Sequence, residues 1–222
     1  MNRKKLGTMF LAGALLLALA VSGGFAAALT TADFPLEGTR ITTQSTTLGN
    51  LVADAVRDAA NADLALVNAS QMRAVSLAAG PIGEEQAAST LAYPDEAIAV
   101  MKLRGDTVRA MLERGLSLLP QPNKGFLQIS GITARFDSRL NSGSRLVEVL
   151  VGGQALDPSR EYRVALPLSL AKGAGGYFAV LNGFQYTQLD TTVRSALISY
   201  LSEHGAGSAR AERPRLQDVS KS

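Results

Sequence analysis

A polar loop after a short apolar segment contains two residues that could hold a small ligand. The apolar segment covers residues 63–68 and ends at Asn68, and Arg73 follows five residues later. An amide side chain both donates and accepts hydrogen bonds, and a guanidinium can bind a phosphate, a ribose hydroxyl or a carboxylate with two parallel hydrogen bonds. A turn followed by a surface arginine is the commoner origin of this spacing. The pattern therefore indicates a ligand loop only together with other evidence.

A second loop is rich in glycine. Gly173, Gly175 and Gly176 lie between Lys172 and Tyr177. Glycine allows positive φ angles and close approach of the backbone, so peptide N–H groups of this loop could hold an anion. The loop has neither the P-loop pattern nor the dinucleotide-binding pattern. An ordinary tight turn is the simpler interpretation.

Phe126 is the aromatic candidate for a stacking contact. It opens an apolar segment after the polar residues 121–125. A planar ligand needs such a ring beside its polar anchors, although an ordinary core phenylalanine fits the pattern somewhat better.

Residues for catalysis are scarce. The chain has one histidine, His204, and no cysteine, whereas a di-metal phosphatase site needs several imidazole and carboxylate ligands. Asp54 and Asp58 are one helical turn apart and could act as a carboxylate pair, but a solvated helix face is the simpler interpretation. We expect no catalytic residues, no bound metal and no cofactor.

The elements that would position these residues alternate between helical and strand periodicity. A helix over residues 51–59 follows Thr46 and Thr47, either of which could cap it. The other predicted elements are strands at 63–68, 97–103 and 126–136, a hairpin of 146–151 with 162–168, and helices at 84–91, 106–119 and 191–204, the last capped by Asp190 or Thr191 and ended by Gly205. This alternation predicts one mixed α/β or α+β domain, a layered sandwich of sheets and helices.

The two ends of the chain have their own character. Arg3, Lys4 and Lys5 precede an apolar segment and small residues up to Ala28, which is the pattern of a cleavable signal peptide. We therefore expect a signal peptide over residues 1–28, a domain over 29–205 and a disordered tail over 206–222. This predicts a periplasmic or secreted protein with no stable membrane span after removal of the signal, although an uncleaved anchor helix is the alternative.

Charge does not favour nucleic acid as a partner. Three of the 22 Lys and Arg residues lie in the signal, so 19 remain to balance the 19 Asp and Glu residues. A nucleic-acid-binding protein needs a basic patch or stripe. The one basic cluster, Arg210, Arg213 and Arg215, lies in the tail, where we expect it to be mobile and solvated.

Six segments in order resemble the C-terminal domain of the 5′-nucleotidase family. Residues 49–55 are similar to its Gly-Asn-Leu-x-x-Asp-Ala helix, and residues 62–73 to a strand that ends in Asn-Gly-Gly-Gly-Ile-Arg. The family's Phe-Leu-Gln-Val-Ser-Gly strand is similar to residues 125–131. The remaining similar segments are residues 80–94, 157–165 and 170–177, so that the resemblance spans roughly residues 40–203.

The resemblance implies a division of labour. In this family an N-terminal metallophosphatase domain carries two metal ions and the catalytic residues, and the C-terminal domain binds the nucleoside. By matched position Asn68 and Arg73 would contact the nucleoside, Phe126 would be one of two rings that sandwich the base, and the loop with Gly173, Gly175 and Gly176 would lie beside it.

The sequence departs from the family pattern at several of these positions. Ala69, Ser70 and Gln71 replace the three glycines, Ser169 replaces the second ring, and Gly175 replaces an aspartate that contacts the ribose. Loss of one stacking partner and one charged hydrogen bond predicts weak or altered nucleoside binding, since stacking contributes about 1–3 kcal/mol and a hydrogen bond to a charged group about 1.5–3 kcal/mol.

Several functions remain open at this point. The leading hypothesis is a non-catalytic module that binds a nucleoside-like or nucleotide ligand, or a partner, in nucleotide catabolism. An alternative is a subunit of a split nucleotidase whose metallophosphatase domain is a separate chain. A degenerate interaction module is a further alternative, and a self-sufficient hydrolase is the least favoured.

Overall fold

The computed structural model describes residues 27–210 and 214–221. Helices and strands alternate along most of this length, which confirms the predicted mixed α/β fold. In chain order the elements are β1 (Thr30–Ala32), α1 (Thr47–Ala59), β2 (Leu64–Asn68), β3 (Gly80–Ile82), α2 (Glu84–Ser89), β4 (Ala97–Arg104), α3 (Gly105–Leu116), β5 (Leu127–Ser130), β6 (Ile132–Phe136), β7 (Leu146–Val151), β8 (Gln154–Ala155), β9 (Glu161–Pro167), α4 (Leu168–Ala171), α5 (Phe178–Leu181), β10 (Tyr186–Thr192), α6 (Val193–His204) and β11 (Leu216–Asp218).

The central layer is a five-stranded sheet in the order β10-β4-β9-β2-β5. Only β2 and β9 are parallel; the other neighbours are antiparallel. All five residues of β2 are buried, as expected for an inner strand that forms a continuous apolar segment. Helix α1 packs on β2 and β5 and also contacts α6, while α3 packs on β4 and β5.

Helix ends follow the local sequence in most places. The Thr46 hydroxyl accepts a hydrogen bond from Gly49 N at 3.0 Å, which confirms the predicted N-cap of α1. Gly205, with φ of 70°, ends α6 as predicted. The N-cap of α6 is Thr192, not Asp190 or Thr191, because those two residues belong to strand β10, which the pattern did not reveal.

The predicted single strand over residues 126–136 is wrong. Gly131 adopts a φ of 74° and divides it into β5 and β6. Strand β5 is an edge of the central sheet, whereas β6 belongs to a second sheet in the order β11-β6-β7-β8. The alternating apolar pattern continues through both strands, so it could not show that the chain changes sheets.

The predicted hairpin between residues 146–151 and 162–168 is also wrong. Gly152 and Gly153 instead connect β7 to the two-residue strand β8, and β7 pairs with β6. Strand β9 pairs with β4 and β2 in the central sheet. The turn residues were identified correctly, but they serve a shorter hairpin.

The described part of the tail contains regular secondary structure, where the sequence pattern predicted disorder. Residues 207–209 form a 3-10 turn, and β11 adds a parallel strand to β6. One buried apolar core extends from Ala32 to Leu216 and includes residues of the central sheet and of the second sheet.

Of the predicted signal over 1–28, residues 1–26 lie outside the described residues, so the signal stays a prediction. Between residues 27 and 210 and in 214–221, no helix is long and apolar enough to cross a membrane.

Candidate ligand-binding site

Most of the predicted site residues lie at the edge of the central sheet where its two parallel strands end. Strands β2 and β9 run in parallel and end at this edge, at Asn68 and Pro167. Strand β5 begins opposite Asn68, because Leu127 is the register partner of Asn68. The glycine-rich loop follows β9 by way of the short helix α4. The parallel pair therefore brings the Asn68 loop, Phe126 and the glycine-rich loop to the same edge.

Asn68 is almost completely enclosed. It is 2% exposed, and its amide nitrogen Nδ2 donates a hydrogen bond to Ser70 Oγ. Its amide oxygen Oδ1 is buried and finds no donor within the described part of the chain. The following loop is pinned to the start of β5, since Ala69 N donates to Phe126 O at 2.8 Å and Ser70 N to Lys124 O at 3.0 Å. A buried amide oxygen without a donor is unusual and makes Asn68 a candidate for ligand contact.

Arg73 is exposed and lines an open cleft of about 520 Å³. Its Nε donates to Leu91 O at 3.2 Å, which leaves its terminal nitrogens without a protein acceptor among the described residues. A second arginine, Arg194 of α6, lines the same cleft, and its Nε lies 3.7 Å from Oδ1 of the exposed Asp95. Glu85 is the carboxylate of the lining. Two guanidinium groups facing one cleft favour a negatively charged ligand.

Phe126 does not fit the role of a stacking ring. It is 0% exposed and belongs to the apolar core. A ring in this position has no free face for a ligand, so the prediction of Phe126 as a base-stacking residue is corrected to a core residue. The simpler interpretation of its sequence pattern was the better one.

The glycine-rich loop has positive φ angles at its three glycines. Two of its carbonyl groups accept hydrogen bonds from an arginine side chain. Gly173, Gly175 and Gly176 have φ angles of 91°, 70° and 87°. Arg114 of α3 donates from Nη2 to Gly175 O at 3.1 Å and from Nε to Gly176 O at 3.0 Å. This guanidinium occupies the outer side of the loop, which weakens the idea that the loop holds an anion.

Tyr177 fixes the loop from the inside. Its hydroxyl donates to Gly125 O at 2.6 Å, and its ring is 0% exposed. Burial raises the pKa of the Tyr177 phenol well above its ordinary value, against a smaller opposing effect of Arg114. The phenol therefore stays protonated and remains a donor at physiological pH. Sequence inspection missed both Arg114 and Tyr177, because their partners are backbone atoms about fifty and sixty residues away.

The two aspartates considered as a carboxylate pair have different surroundings. Asp54 is 5% exposed and forms a two-pronged ion pair with Arg215, so the expectation of a solvated position is wrong for Asp54. It is also wrong for Arg215, whose side chain is 14% exposed and forms this ion pair. Asp58 is half-exposed, and its Oδ2 lies 3.8 Å from Nε2 of His204. Across residues 27–210 and 214–221, no three His, Cys, Asp or Glu side chains converge as they would around a metal ion.

Comparison with known proteins identifies the family. A family model described as 5′-nucleotidase, C-terminal domain, matches residues 23–183, and the chain therefore belongs to this family. The 5′-nucleotidase of Vibrio parahaemolyticus is 26% identical over 171 residues, which covers 76% of this chain and 29% of that protein. The trifunctional nucleotide phosphoesterase protein YfkN of Bacillus subtilis is 29% identical over 156 residues, or 65% of this chain and 10% of that protein.

Solved structures agree in fold. The 5′-nucleotidase precursor of Thermus thermophilus superposes with a TM-score of 0.74 at 28% identity, over 87% of this chain and 39% of that chain. The NAD nucleotidase of Haemophilus influenzae has a TM-score of 0.73 at 18% identity, over 86% of this chain and 38% of that chain, which shows a shared fold alone. This chain spans less than a third of the length of these curated relatives and about two fifths of the solved chains.

Proposed function

We propose that this chain is an exported recognition domain of a nucleotide-hydrolysing system, which binds a nucleotide-like ligand without catalysing its hydrolysis. Family membership and the names of the relatives support the nucleotide context. Export is supported by the pattern of residues 1–28 and would be tested by N-terminal sequencing of the protein from its host. A mature N-terminus at Leu29 is the expected result, and an intact Met1 would contradict it.

The observation that carries the ligand proposal is the cleft between Arg73 and Arg194. The terminal nitrogens of Arg73 are uncommitted among the described residues, and Arg194 lines the same space. A guanidinium pairs well with a phosphate because its N–H groups match two phosphate oxygens. The ligand would therefore be recognised mainly by its phosphate group.

Recognition of the base would contribute little. Phe126 is enclosed in the core, Ser169 stands where the resemblance places a second ring, and Gly175 replaces the ribose-binding carboxylate. We therefore expect AMP to bind more tightly than adenosine, because adenosine lacks the group that the two arginines would hold.

Calorimetric titration of the purified protein with AMP and adenosine tests this proposal. Arg73→Gln and Arg194→Gln should each weaken AMP binding about tenfold, the loss of one charge-assisted hydrogen bond. Arg104→Gln is the matched control, since Arg104 is half-exposed and pairs with Asp106 on the surface. Absence of binding at millimolar AMP, or an unchanged affinity in Arg73→Gln, would count against the ligand proposal.

A second candidate function is docking to a metallophosphatase domain carried by a separate chain. Exposed aromatic rings favour it: Tyr93 is 60% exposed and Phe178 is 63% exposed. Tyr93 is tied to the Asn68 loop through its carbonyl, which accepts a hydrogen bond from Gln71 Nε2 at 2.6 Å, and Phe178 follows the glycine-rich loop. Exposed rings of this kind are enriched at protein interfaces.

Co-purification from the native host distinguishes the two functions. A docked partner should bring metal-dependent AMP hydrolysis into the purified fraction, and Tyr93→Ser with Phe178→Ser should remove it. Leu140→Ser is the control, because Leu140 is similarly exposed at 45% but lies in the β6–β7 loop. A monomer without phosphatase activity in the fraction would contradict docking.

A further inference from the structure

A second cleft, of about 360 Å³, opens on the side of the domain where α1, α6 and the second sheet meet. We call it the Arg57 cleft. Its walls are the last turns of α1, the junction of β5 and β6 at Gly131, the end of β7 and part of α6. None of its lining residues lines the cleft of Arg73 and Arg194. The Arg57 cleft is therefore a separate site from the cleft of Arg73 and Arg194.

The buried ion pair in this cleft is already saturated. Arg215 Nη1 donates to Asp54 Oδ1 at 2.7 Å and to Ile129 O at 3.0 Å, and Nη2 donates to Asp54 Oδ2 at 2.8 Å and to Ser208 O at 2.9 Å. Asp54 also accepts from Ser130 Oγ at 2.6 Å and from Ser208 Oγ at 2.9 Å. The two opposite charges compensate each other, and the terminal N–H groups of Arg215 are committed to the protein.

Tyr200 is committed to the same network. Because the Ser208 hydroxyl hydrogen points to Asp54, the Tyr200 hydroxyl donates to Ser208 Oγ, at 2.8 Å. Burial raises the pKa of the Tyr200 phenol, so this donor stays protonated. The network of Asp54, Arg215, Ser208 and Tyr200 therefore carries no net charge and offers few free hydrogen-bond donors to a ligand.

Arg57 differs from every other charged group in the cleft. Its Nε is buried without an acceptor in the described part of the chain, and none of its nitrogens lies within ion-pair distance of a described carboxylate. A buried donor without a partner is costly, and more so when it is charged. The charge of Arg57 thus gives the cleft an uncompensated positive charge.

Neighbouring residues make room for this guanidinium and add a hydroxyl. At Gly131 a Cβ atom would lie 3.1 Å from Arg57 Cδ and 2.2 Å from Asp63 O, so the glycine at the β5–β6 junction keeps the Arg57 stem in place. Thr133 of β6 lines the same cleft, and its exposed hydroxyl has no hydrogen-bond partner among the described residues.

We propose that the Arg57 cleft binds a phosphate group, either inorganic phosphate or the phosphate of a small ester. The Arg57 guanidinium binds two of its oxygens, and the Thr133 hydroxyl donates to a third. A carboxylate has only two oxygens and cannot satisfy both side chains in this way. The cleft volume is sufficient for phosphate with part of an attached alcohol.

NMR titration of the whole protein tests the proposal through the side-chain Nε–Hε signal of Arg57. Inorganic phosphate, AMP and acetate are the probes. A saturable shift with phosphate or AMP, and a much weaker response to acetate, is the expected result. A shift with AMP alone would assign the phosphate ester as the ligand, and a shift with inorganic phosphate alone would assign the free ion.

Variants complete the test by calorimetry with the phosphate probe that shifts the signal. Arg57→Gln should weaken binding about tenfold, and Thr133→Val should weaken it to a smaller degree. Arg135→Gln is the control, because it removes a positive charge from β6, the strand that also carries Thr133. Arg135 is paired with Glu148 at a long distance of 3.8 Å. These titrations are made in the Arg73→Gln background, in which binding at the cleft of Arg73 and Arg194 is weakened.

Three results would overturn the proposal. These are an unmoved Arg57 signal with both phosphate probes, an equal response to acetate, or an unchanged affinity in Arg57→Gln. If Arg57→Gln does not fold, the signal of the unmodified protein and the Thr133→Val titration still decide between binding and no binding.

Discussion

At the scale of single residues, Asp54 and Arg215 form the most enclosed ion pair of the described residues. Their side chains are 6% and 14% exposed. The pair joins α1 to the chain segment that leads into β11, and Ser130 and Ser208 complete its hydrogen bonds. Enclosed pairs of this kind contribute little net stability, but removal of one partner leaves the other charge buried.

Arg215→Met should therefore lower the free energy of unfolding by about 3–5 kcal/mol, because Asp54 loses its counter-ion. Urea denaturation of the purified protein measures the change. Arg135→Met is the control, since Arg135 and Glu148 are half-exposed and such pairs contribute about 1 kcal/mol or less.

The double variant Asp54→Leu with Arg215→Met sharpens this prediction. It should be destabilised by less than the sum of the two single variants, because no unpaired charge remains. Strict additivity would show that the two side chains act independently, contrary to their contact.

At the scale of elements, the glycine-rich loop is held between α3 and the segment before β5. Arg114 binds two of its carbonyl groups from one side, and the Tyr177 hydroxyl reaches Gly125 O from the other. The loop therefore connects, through hydrogen bonds, elements that are distant in sequence.

Gly176→Ala tests how much the close contact between Arg114 and the glycine-rich loop contributes to stability. A Cβ atom there would lie 2.0 Å from Arg114 Nη2, at a φ of 87°. Gly183→Ala is a matched control, because Gly183 has the same φ of 87° but a Cβ atom there would meet no described atom within 4 Å. Backbone strain should cost each variant about 1–2 kcal/mol, and Gly176→Ala should lose more because Arg114 must leave the loop.

Thermal unfolding of the two glycine variants gives the comparison directly. A larger fall in Tm for Gly176→Ala is expected. Equal falls would mean that the Arg114 contact contributes nothing beyond the backbone conformation.

At the scale of the whole molecule, the cleft of Arg73 and Arg194 and the Arg57 cleft are lined by different arginines, and one buried apolar core extends through the described residues. The cleft of Arg73 and Arg194 lies beside α2 and the start of α6, and the Arg57 cleft lies between α1 and the second sheet. Relatives such as the 5′-nucleotidase of Vibrio parahaemolyticus are several times longer than the matched region. This chain therefore corresponds to one part of those longer proteins.

The purified chain, assayed with AMP and added divalent metal ions, should release no phosphate above the background. The physical reason is the shortage of ligands, since one imidazole and no thiol cannot supply the donor set of a di-metal phosphatase. Release of phosphate is measured with and without added metallophosphatase-containing fractions. Turnover by the chain alone would refute the non-catalytic part of the proposed function.

Local chemistry explains which elements could be predicted. Helix α1 begins where Thr46 caps it, α6 ends at Gly205, and β2 is a continuous apolar segment that ends at Asn68. Each of these signals depends on residues within one or two turns of the chain. The resemblance of ordered short segments to the 5′-nucleotidase family is likewise a property of sequence alone, and the family match over residues 23–183 confirms it.

Only the tertiary structure decided which segments pair and which side chains are enclosed. The apolar alternation of residues 126–136 is the same whether one strand or two are formed, and the turn at Gly131 separates the sheets. Phe126 is buried because the core closes around it, and Arg215 is fixed because Asp54 faces it from 161 positions away in sequence. Burial and ion pairing depend on contacts between distant segments, which the order of residues along the chain does not display.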